Sequence, residues 1–541
     1  MPDDALPARS DWPAHPVIYQ IYPRSFADST GSGEGDLAGI AARLSHVARL
    51  GADAVWISPF QVSPMVDGGY DIADHATIDP RFGTDADWDR VIARARALGL
   101  RVMVDLVANH TSREHPWFTE SAERREGRED WYVWADAAPG GGPPNNWLSF
   151  FGPPAWTWDH RRRQYYYHTF LDAQPKLNLR NPDVRRAICS LVGHWRDRGA
   201  DGFRLDAVTS YLHDTSMADN PPASADVSAR IAGAPHNPYT WQDHAHDFLP
   251  GDGVPFMQEV REWAGPDSYL LGEVNSGNNS VELAISMAGA GGLDSAYVID
   301  LAERGITGEV LADMIDRGAC AEGLAWWLSS HDQPRHVSRE GDGSAADARL
   351  FALLLCAMPG PLILYQGEEI GQRQARLPRQ ALHDPFDRMY WPDTPGRDGA
   401  RVPFFWDAGP GGGFTGGVPW LPMAPQDAPA PLSAQEGQPD SPFETYRAAL
   451  AERRRRGLAD GCIEVLEAEA DWVLARVDGT EGAPVRLAVN LGREPRRLPG
   501  GPARAILASA PGLRDAALDT LPGRTSAWLP ADGEEPDGDA T

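Results

Sequence analysis

Lysine is almost missing from this chain. Of its 49 basic residues only Lys176 is a lysine, and the remainder are arginines. A composition rich in Ala, Gly and Pro points to codon bias, which accounts for the rarity but not for where the survivor sits. Cysteine is scarce as well. Cys189, Cys320, Cys356 and Cys462 lie far apart with no CxxC spacing. Neither a zinc pattern nor a disulfide framework is indicated, so reduced, buried thiols are expected. Positive charge is in deficit, with a formal net charge of −28. Such a surface repels phosphate backbones and anionic lipid, so neither nucleic acid nor a membrane surface is expected as a partner. No apolar run reaches the about 18 residues of a membrane span. The acidic segment MPDDALPARSDW also lacks the apolar core of a signal peptide, and the reading is a cytoplasmic location.

What is present is a long, ordinary globular composition: 541 residues, 42% hydrophobic and 23% charged, with 19 tryptophans. That is enough for a barrel with appendages. Short apolar runs ending in polar residues recur over Val17–Tyr22, Ala54–Pro59, Val102–Val107, Gly202–Asp206, Tyr269–Glu273, Ala296–Leu301, Leu324–Ser329 and Leu362–Gln366. They alternate with helical patterns such as Asp85–Ala97 and Pro182–Arg198. Buried strands alternating with helices predict an α/β fold, a parallel (β/α)8 barrel. Two connections are too long to be plain loops. The resulting organisation is a barrel over residues 1–110 and 179–457, an inserted small domain over 111–178 after the third strand, and a lid-like extension over 210–256 after the fourth. An antiparallel β-domain over 458–530 and a disordered acidic tail over 531–541 complete it.

In such a barrel, chemistry sits at the C-terminal ends of the strands. Those ends read Asp105-Leu-Val-Ala-Asn109-His110, Gly202-Phe-Arg204-Leu-Asp206, Leu271-Gly-Glu273 and Ser330-His331-Asp332. Any one of these groups alone is more often a structural hydrogen-bond partner. Four strand ends aiming carboxylates, histidines and an arginine into one mouth are not. Arg204 and Asp206 share a face, and the guanidinium is expected to keep Asp206 ionised as a nucleophile. Glu273, set among other carboxylates, suits a proton donor. Two carboxyl groups about 5–5.5 Å apart specify double displacement with retention. Asp332, His331 and His110 suit hydrogen bonds to ring hydroxyls.

Together with Gln174-Pro-Lys-Leu-Asn178, Ile18-Tyr-Gln-Ile-Tyr-Pro-Arg-Ser-Phe26, Gly69-Tyr-Asp71-Ile, Tyr365-Gln-Gly-Glu368-Glu369 and Gly396-Arg-Asp-Gly-Ala-Arg401, these segments resemble the α-amylase family of glycoside hydrolases (family 13). The likeness is to its α-glucosidase branch and runs over roughly residues 13–500. It implies a retaining, exo-acting glycoside hydrolase acting on terminal α-glucosidic bonds of short malto-oligosaccharides, with transglucosylation as a further outcome. Asp206 would be the nucleophile, Glu273 the acid/base and Asp332 the transition-state stabiliser. Asp71, His110, Gln174, Arg204, His331 and Arg401 would line the sugar subsite, with Phe151 and Phe170 shaping its closed end.

The chain also departs from the pattern. Where relatives carry a cation loop, the run here is Asp28, Thr30, Ser32, Glu34 and Asp36, with weaker ligands at two positions, so a structural Ca2+ or Mg2+ is at most an occupant of an eroded site. The chemistry itself needs no cofactor. Ser330 replaces the usual Asn before His-Asp. The small Ala207 after the nucleophile goes with α-1,4 rather than α-1,6 linkages in this branch. Lys176 reverses the charge of a common Asp, and a place near the active-site mouth, acting on acceptor binding, is expected. Rival readings are a sucrose hydrolase or other α-glucosyl transferase or isomerase of the family, and a non-catalytic sugar-binding or transporter-subunit relative. The retained carboxylates and the lack of a membrane span argue against the latter.

Overall fold

Eight short strands, each buried along its whole length, close into a parallel barrel in sequential order. They are β1 (Val17–Ile21), β2 (Ala54–Ile57), β3 (Arg101–Leu106), β4 (Gly202–Leu205), β5 (Tyr269–Val274), β6 (Ser295–Val298), β7 (Leu324–Trp327) and β8 (Leu362–Tyr365). All eight match the apolar runs read from the sequence, with ends moved by a few residues. The computed structural model describes residues 12–225, 236–275, 279–289, 292–318, 323–424, 427–514 and 516–531. Part of the anticipated lid, Cys320 and the tail beyond 531 lie outside them.

The strands are apolar on both faces because both faces are covered. Inward side chains, among them Ile18, Trp56, Met103, Leu271, Tyr297, Trp327 and Ile363, pack a core of their own. Trp12 belongs to the same cluster, its ring 4.9 Å from that of Tyr269. Outward side chains meet a helical ring. Helix Asp85–Ala97 begins where Thr84 donates its amide to Asp87 at 2.8 Å, a capping box, and carries Arg94 and Arg96 in its last turn. Helix Pro182–Asp197 opens with Asn181 accepting from the Asp183 amide and proline in its first turn.

After β3 the chain makes a three-stranded antiparallel sheet of Trp134–Ala135, Trp156–Asp159 and Gln164–Tyr167. After β4 it runs through short 3-10 turns before helix Val254–Ala264. These two excursions clasp each other: Asn146 donates to the Asn220 carbonyl at 2.8 Å, Trp147 to Ala218 at 2.9 Å and Asn237 to Phe150 at 2.8 Å. The C-terminal unit is a five-stranded antiparallel sheet running from Cys462–Glu469 to Thr525–Pro530. No helix among the described residues is long and apolar enough to cross a membrane.

The cysteine expectation needs a correction. Cys189 and Cys356 are free and buried, but Cys462 is disulfide-bonded. Separation along the chain says nothing about distance in the fold, and the strand that Cys462 opens packs on helix Gly308–Gly318.

Candidate active site

Arg204 organises the mouth of the barrel. It is fully buried and donates to Asp105 at 2.9 Å and to Asp206 at 2.6 Å, both through one nitrogen. Its other terminal nitrogen lies 2.7 Å from Glu273 and 2.7 Å from the Tyr297 hydroxyl. Strand register produces this arrangement, because Asp105 pairs with Arg204 across β3 and β4, and Glu273 with Tyr297 across β5 and β6. Asp105 in turn accepts from Trp56 and Tyr70, each at 2.9 Å. Arg204 thus gathers three carboxylates.

That count changes the electrostatic expectation for Asp206. Burial raises its proton affinity, Arg204 opposes the rise, and Glu273 and Asp105 add to it; the net direction is well upward. A single guanidinium faces three carboxylates here, so Arg204 does not offset the rise at Asp206. Ala207 contributes through its backbone. Its φ of 45° lies in the left-handed region, and its amide donates to Glu273 at 3.0 Å. A small side chain tolerates that conformation better than a branched one.

Asp332 lies just past β7. His331 lies 3.0 Å from one of its oxygens; Arg401 and Arg397 donate to the other at 2.9 and 3.1 Å. Burial works to raise Asp332, but His331, Arg397 and Arg401 outweigh it and hold the carboxyl well below the usual range. His331 is stacked between Tyr22 and Tyr70, and Gln20 reaches its Nδ1 at 2.7 Å. Ser330 accepts the Asp332 amide at 3.2 Å, a local turn that steadies the carboxylate.

One sugar-subsite assignment moves. Asp71 is turned away from the pocket, accepting from the Ser63 hydroxyl and from the Val66 and Asp67 amides at 2.9–3.0 Å. Burial pushes it up to about 6. Its place is taken by Asp67, which accepts from Arg397 at 2.7 Å and from Gln174 at 2.9 Å. Between the two, Gly68 and Gly69 adopt φ of 60° and 111°, reversing the chain. A Cβ on Gly68 would meet the Tyr22 hydroxyl at 2.9 Å and Arg401 at 3.0 Å. His110 lies 3.0 Å from the Gln174 amide and 5.4 Å, edge to face, from Phe170. Burial lowers it to about 3, so it is a neutral imidazole. Arg397, absent from the sequence-derived set, spans Asp67, Asp332 and Asp384 with its guanidinium 5.4 Å above the Phe151 ring. The signal for it was the second arginine of Gly396-Arg-Asp-Gly-Ala-Arg401. Gln20 and Tyr297 were missed because neither carries charge.

Two further expectations are revised. The cation loop does not fit a metal. Asp28 spends its oxygens on the Thr30, Gly31 and Gly33 amides and the Thr415 hydroxyl, while Glu34 pairs with Arg24 at 2.7 Å. Ser32 binds the Glu34 backbone, and Asp36 caps helix Leu37–Leu50. No group of three His, Cys, Asp or Glu suited to a metal occurs among the described residues. Lys176 is not at the mouth either. It is 1% exposed, beneath the inserted sheet, and burial lowers it to about 7.

This geometry has counterparts. Residues 20–461 match the model of the α-amylase catalytic domain, and residues 459–528 match a domain family of unknown function, DUF3459. A probable alpha-glucosidase of Rhizobium meliloti (strain 1021) is 45% identical over 84% of this chain and 85% of that protein. An oligo-1,6-glucosidase of Parageobacillus thermoglucosidasius is 35% identical over 83% of this chain and 84% of its own length. The crystal structure of the alpha-glucosyl transfer enzyme XgtA superposes with a TM-score of 0.89 at 39% identity, covering 96% of this chain and all of the other. Family model, barrel and converging carboxylates agree: the chain belongs to the α-amylase family of glycoside hydrolases.

Proposed function

We propose that this enzyme is a retaining, exo-acting α-glucosidase that removes terminal glucose from short α-1,4-linked oligosaccharides. The observation that carries the reading is the Arg397 bridge. In this reading the bridge from Asp67 to Asp332, with its guanidinium over Phe151, closes the pocket beyond the carboxylate pair, so that a terminal sugar enters and the rest of the chain exits. A polymer threading through would have to break a half-buried double ion pair.

The mechanism follows from the charges. Glu273 gives a proton to the glycosidic oxygen as the C1–O bond breaks. Asp206, anionic beside Arg204, attacks C1 to give a glycosyl ester. One guanidinium bonded to both carboxyl groups supports the short separation, about 5 Å, of retaining rather than inverting enzymes. Asp332, held ionised, stabilises positive charge at the ring oxygen and C1 in the transition state, while neutral His110 presents polar contacts without adding charge. Glu273 then takes a proton from water, which cleaves the ester. A sugar or alcohol hydroxyl in place of that water gives transfer, the outcome named for the structural neighbour.

The deciding experiment is a rate profile on maltose, isomaltose, sucrose and soluble starch, with glucose and transfer products both quantified. The reading predicts maltose first, isomaltose weak and starch almost inert. Starch cleaved faster than maltose would remove the closed-pocket argument.

A further inference from the structure

The chain's sole lysine occupies a junction that the reaction does not visibly use. Lys176 Nζ donates to the Asn109 side-chain oxygen and to the Ser210 carbonyl. Its backbone ties the same region: Lys176 N donates to the Tyr167 carbonyl at 2.9 Å, and its carbonyl accepts from Val133 at 3.1 Å. Three segments therefore meet at one residue: the end of β3 and the turn that follows the nucleophile on its side chain, and the inserted sheet on its backbone.

Each acceptor leads into the site within a few bonds. Asn109 precedes His110, and its amide nitrogen lies 3.2 Å from His110 Nδ1. Ser210 ends the single 3-10 turn Val208–Ser210 that starts at the left-handed Ala207, next to Asp206. The two oxygens converge on one point, which suits a compact ammonium and not the planar fork of arginine. Tyr167 lies 5.8 Å from Nζ, and Asp247 is the acidic group whose field favours the charge. Burial holds His110 and His213 well below the usual imidazole range, and the Lys176 charge lowers them further.

We propose that Lys176 is a positioning residue that fixes the nucleophile turn against the His110 end of β3, so that kcat depends on it while ground-state binding does not. The proposal rests on the glycosidase reading above. Losing the clamp shifts Asp206 relative to the sugar subsite, and misplacement of about 1 Å costs on the order of 10²-fold in rate.

The test is Lys176→Met, which keeps the bulk and removes the donors, assayed on p-nitrophenyl α-glucoside. The expected result is a kcat lower by about 10–100-fold with KM within about threefold. A kcat within about twofold of wild type, or a rise in KM alone, would overturn the proposal. Should the Met variant fail to fold, Lys176→Arg retains charge and donors; it is expected to fold with reduced kcat, and an unchanged kcat counts against the clamp. In Lys176→Ala, n-propylammonium restores turnover and n-propanol does not, whereas equal rescue or none marks a packing role only. Hydrogen exchange in peptides covering residues 206–212 reads the clamp without turnover and accelerates in Lys176→Met. Unchanged exchange overturns the proposal even if the wild type proves not to cleave α-glucosides, a result that would by itself refute only the glycosidase reading.

Discussion

Two clusters of buried charge sit at strand ends of the same barrel, and in both carboxylates accept from tyrosine hydroxyls. In one, Arg204 gathers Asp105, Asp206 and Glu273 beside Tyr297. In the other, just past β8, Tyr446 donates to Glu368 at 2.8 Å, Tyr19 to Glu369 at 2.6 Å, and His46 lies 2.6 Å from Glu369. The second cluster is sealed, with Glu368 2% and Glu369 0% exposed, and each carboxylate has a fixed protein partner. In the first, Asp206 and Glu273 share one cation and stay 7% and 9% exposed. Buried carboxylates at a strand end thus serve structure when each has a partner of its own in a sealed core and chemistry when two share one cation and stay partly exposed.

The contrast breaks first, and most severely, at the nucleophile. Asp206→Asn should lower kcat by about 10⁴-fold or more without unfolding the protein, because an amide cannot form the glycosyl ester. Glu273→Gln should cost about 10²–10⁴-fold on maltose but much less on a p-nitrophenyl glucoside, whose leaving group needs no proton. Steady-state kinetics on the two substrates separates these roles.

Next comes the wall. Arg397→Ala removes charge-assisted bonds to Asp67 and Asp332 and should lower kcat/KM for maltose by about 10–100-fold. If the wall sets exo-action, the ratio of starch to maltose rates rises in the same variant. Ala207→Val sharpens the picture at a milder level. A branched residue at φ 45° carries roughly 1–2 kcal/mol of strain, so about a tenfold loss on maltose is expected, with isomaltose less affected.

The sealed cluster should show the smallest catalytic effect and a purely thermodynamic one. Burial pushes Glu368 up to about 8, opposed by Tyr446, so the folded state holds its proton more tightly than the unfolded chain does. Its stabilising contribution is therefore full below about 4.5 and fades as the pH climbs through about 8. Thermal melts of Glu368→Gln should show a flatter dependence on pH across that window, with kcat within about twofold of wild type. A large kcat loss would erase the distinction between the two clusters.

The sequence made the barrel legible because parallel strands covered on both faces read as short apolar runs ending in polar residues. The carboxylates at those ends, Asp206, Glu273 and Asp332, were legible for the same reason. Asp67 and Asp71 were confused because they share one loop, and only the positive φ of Gly68 and Gly69 decides which faces the pocket. Arg397 and Arg401 are four residues apart, and only tertiary contacts show that both reach Asp332. Lys176 stood out as a composition anomaly, but its burial depends on how the inserted sheet folds back over β3, which no local pattern encodes. The cation loop keeps the spacing of an ion site, but Asp28 and Glu34 are held by protein donors, which spacing alone does not reveal.

The central claim is that Asp206 forms a covalent bond to the sugar, and mechanism-based trapping tests it most directly. Incubation with 5-fluoro-α-glucosyl fluoride, followed by peptide mass spectrometry, should find the fluoroglucosyl group esterified to Asp206. A label on a different carboxylate, or continued turnover with no labelled peptide and an inverted product anomer, would contradict the account.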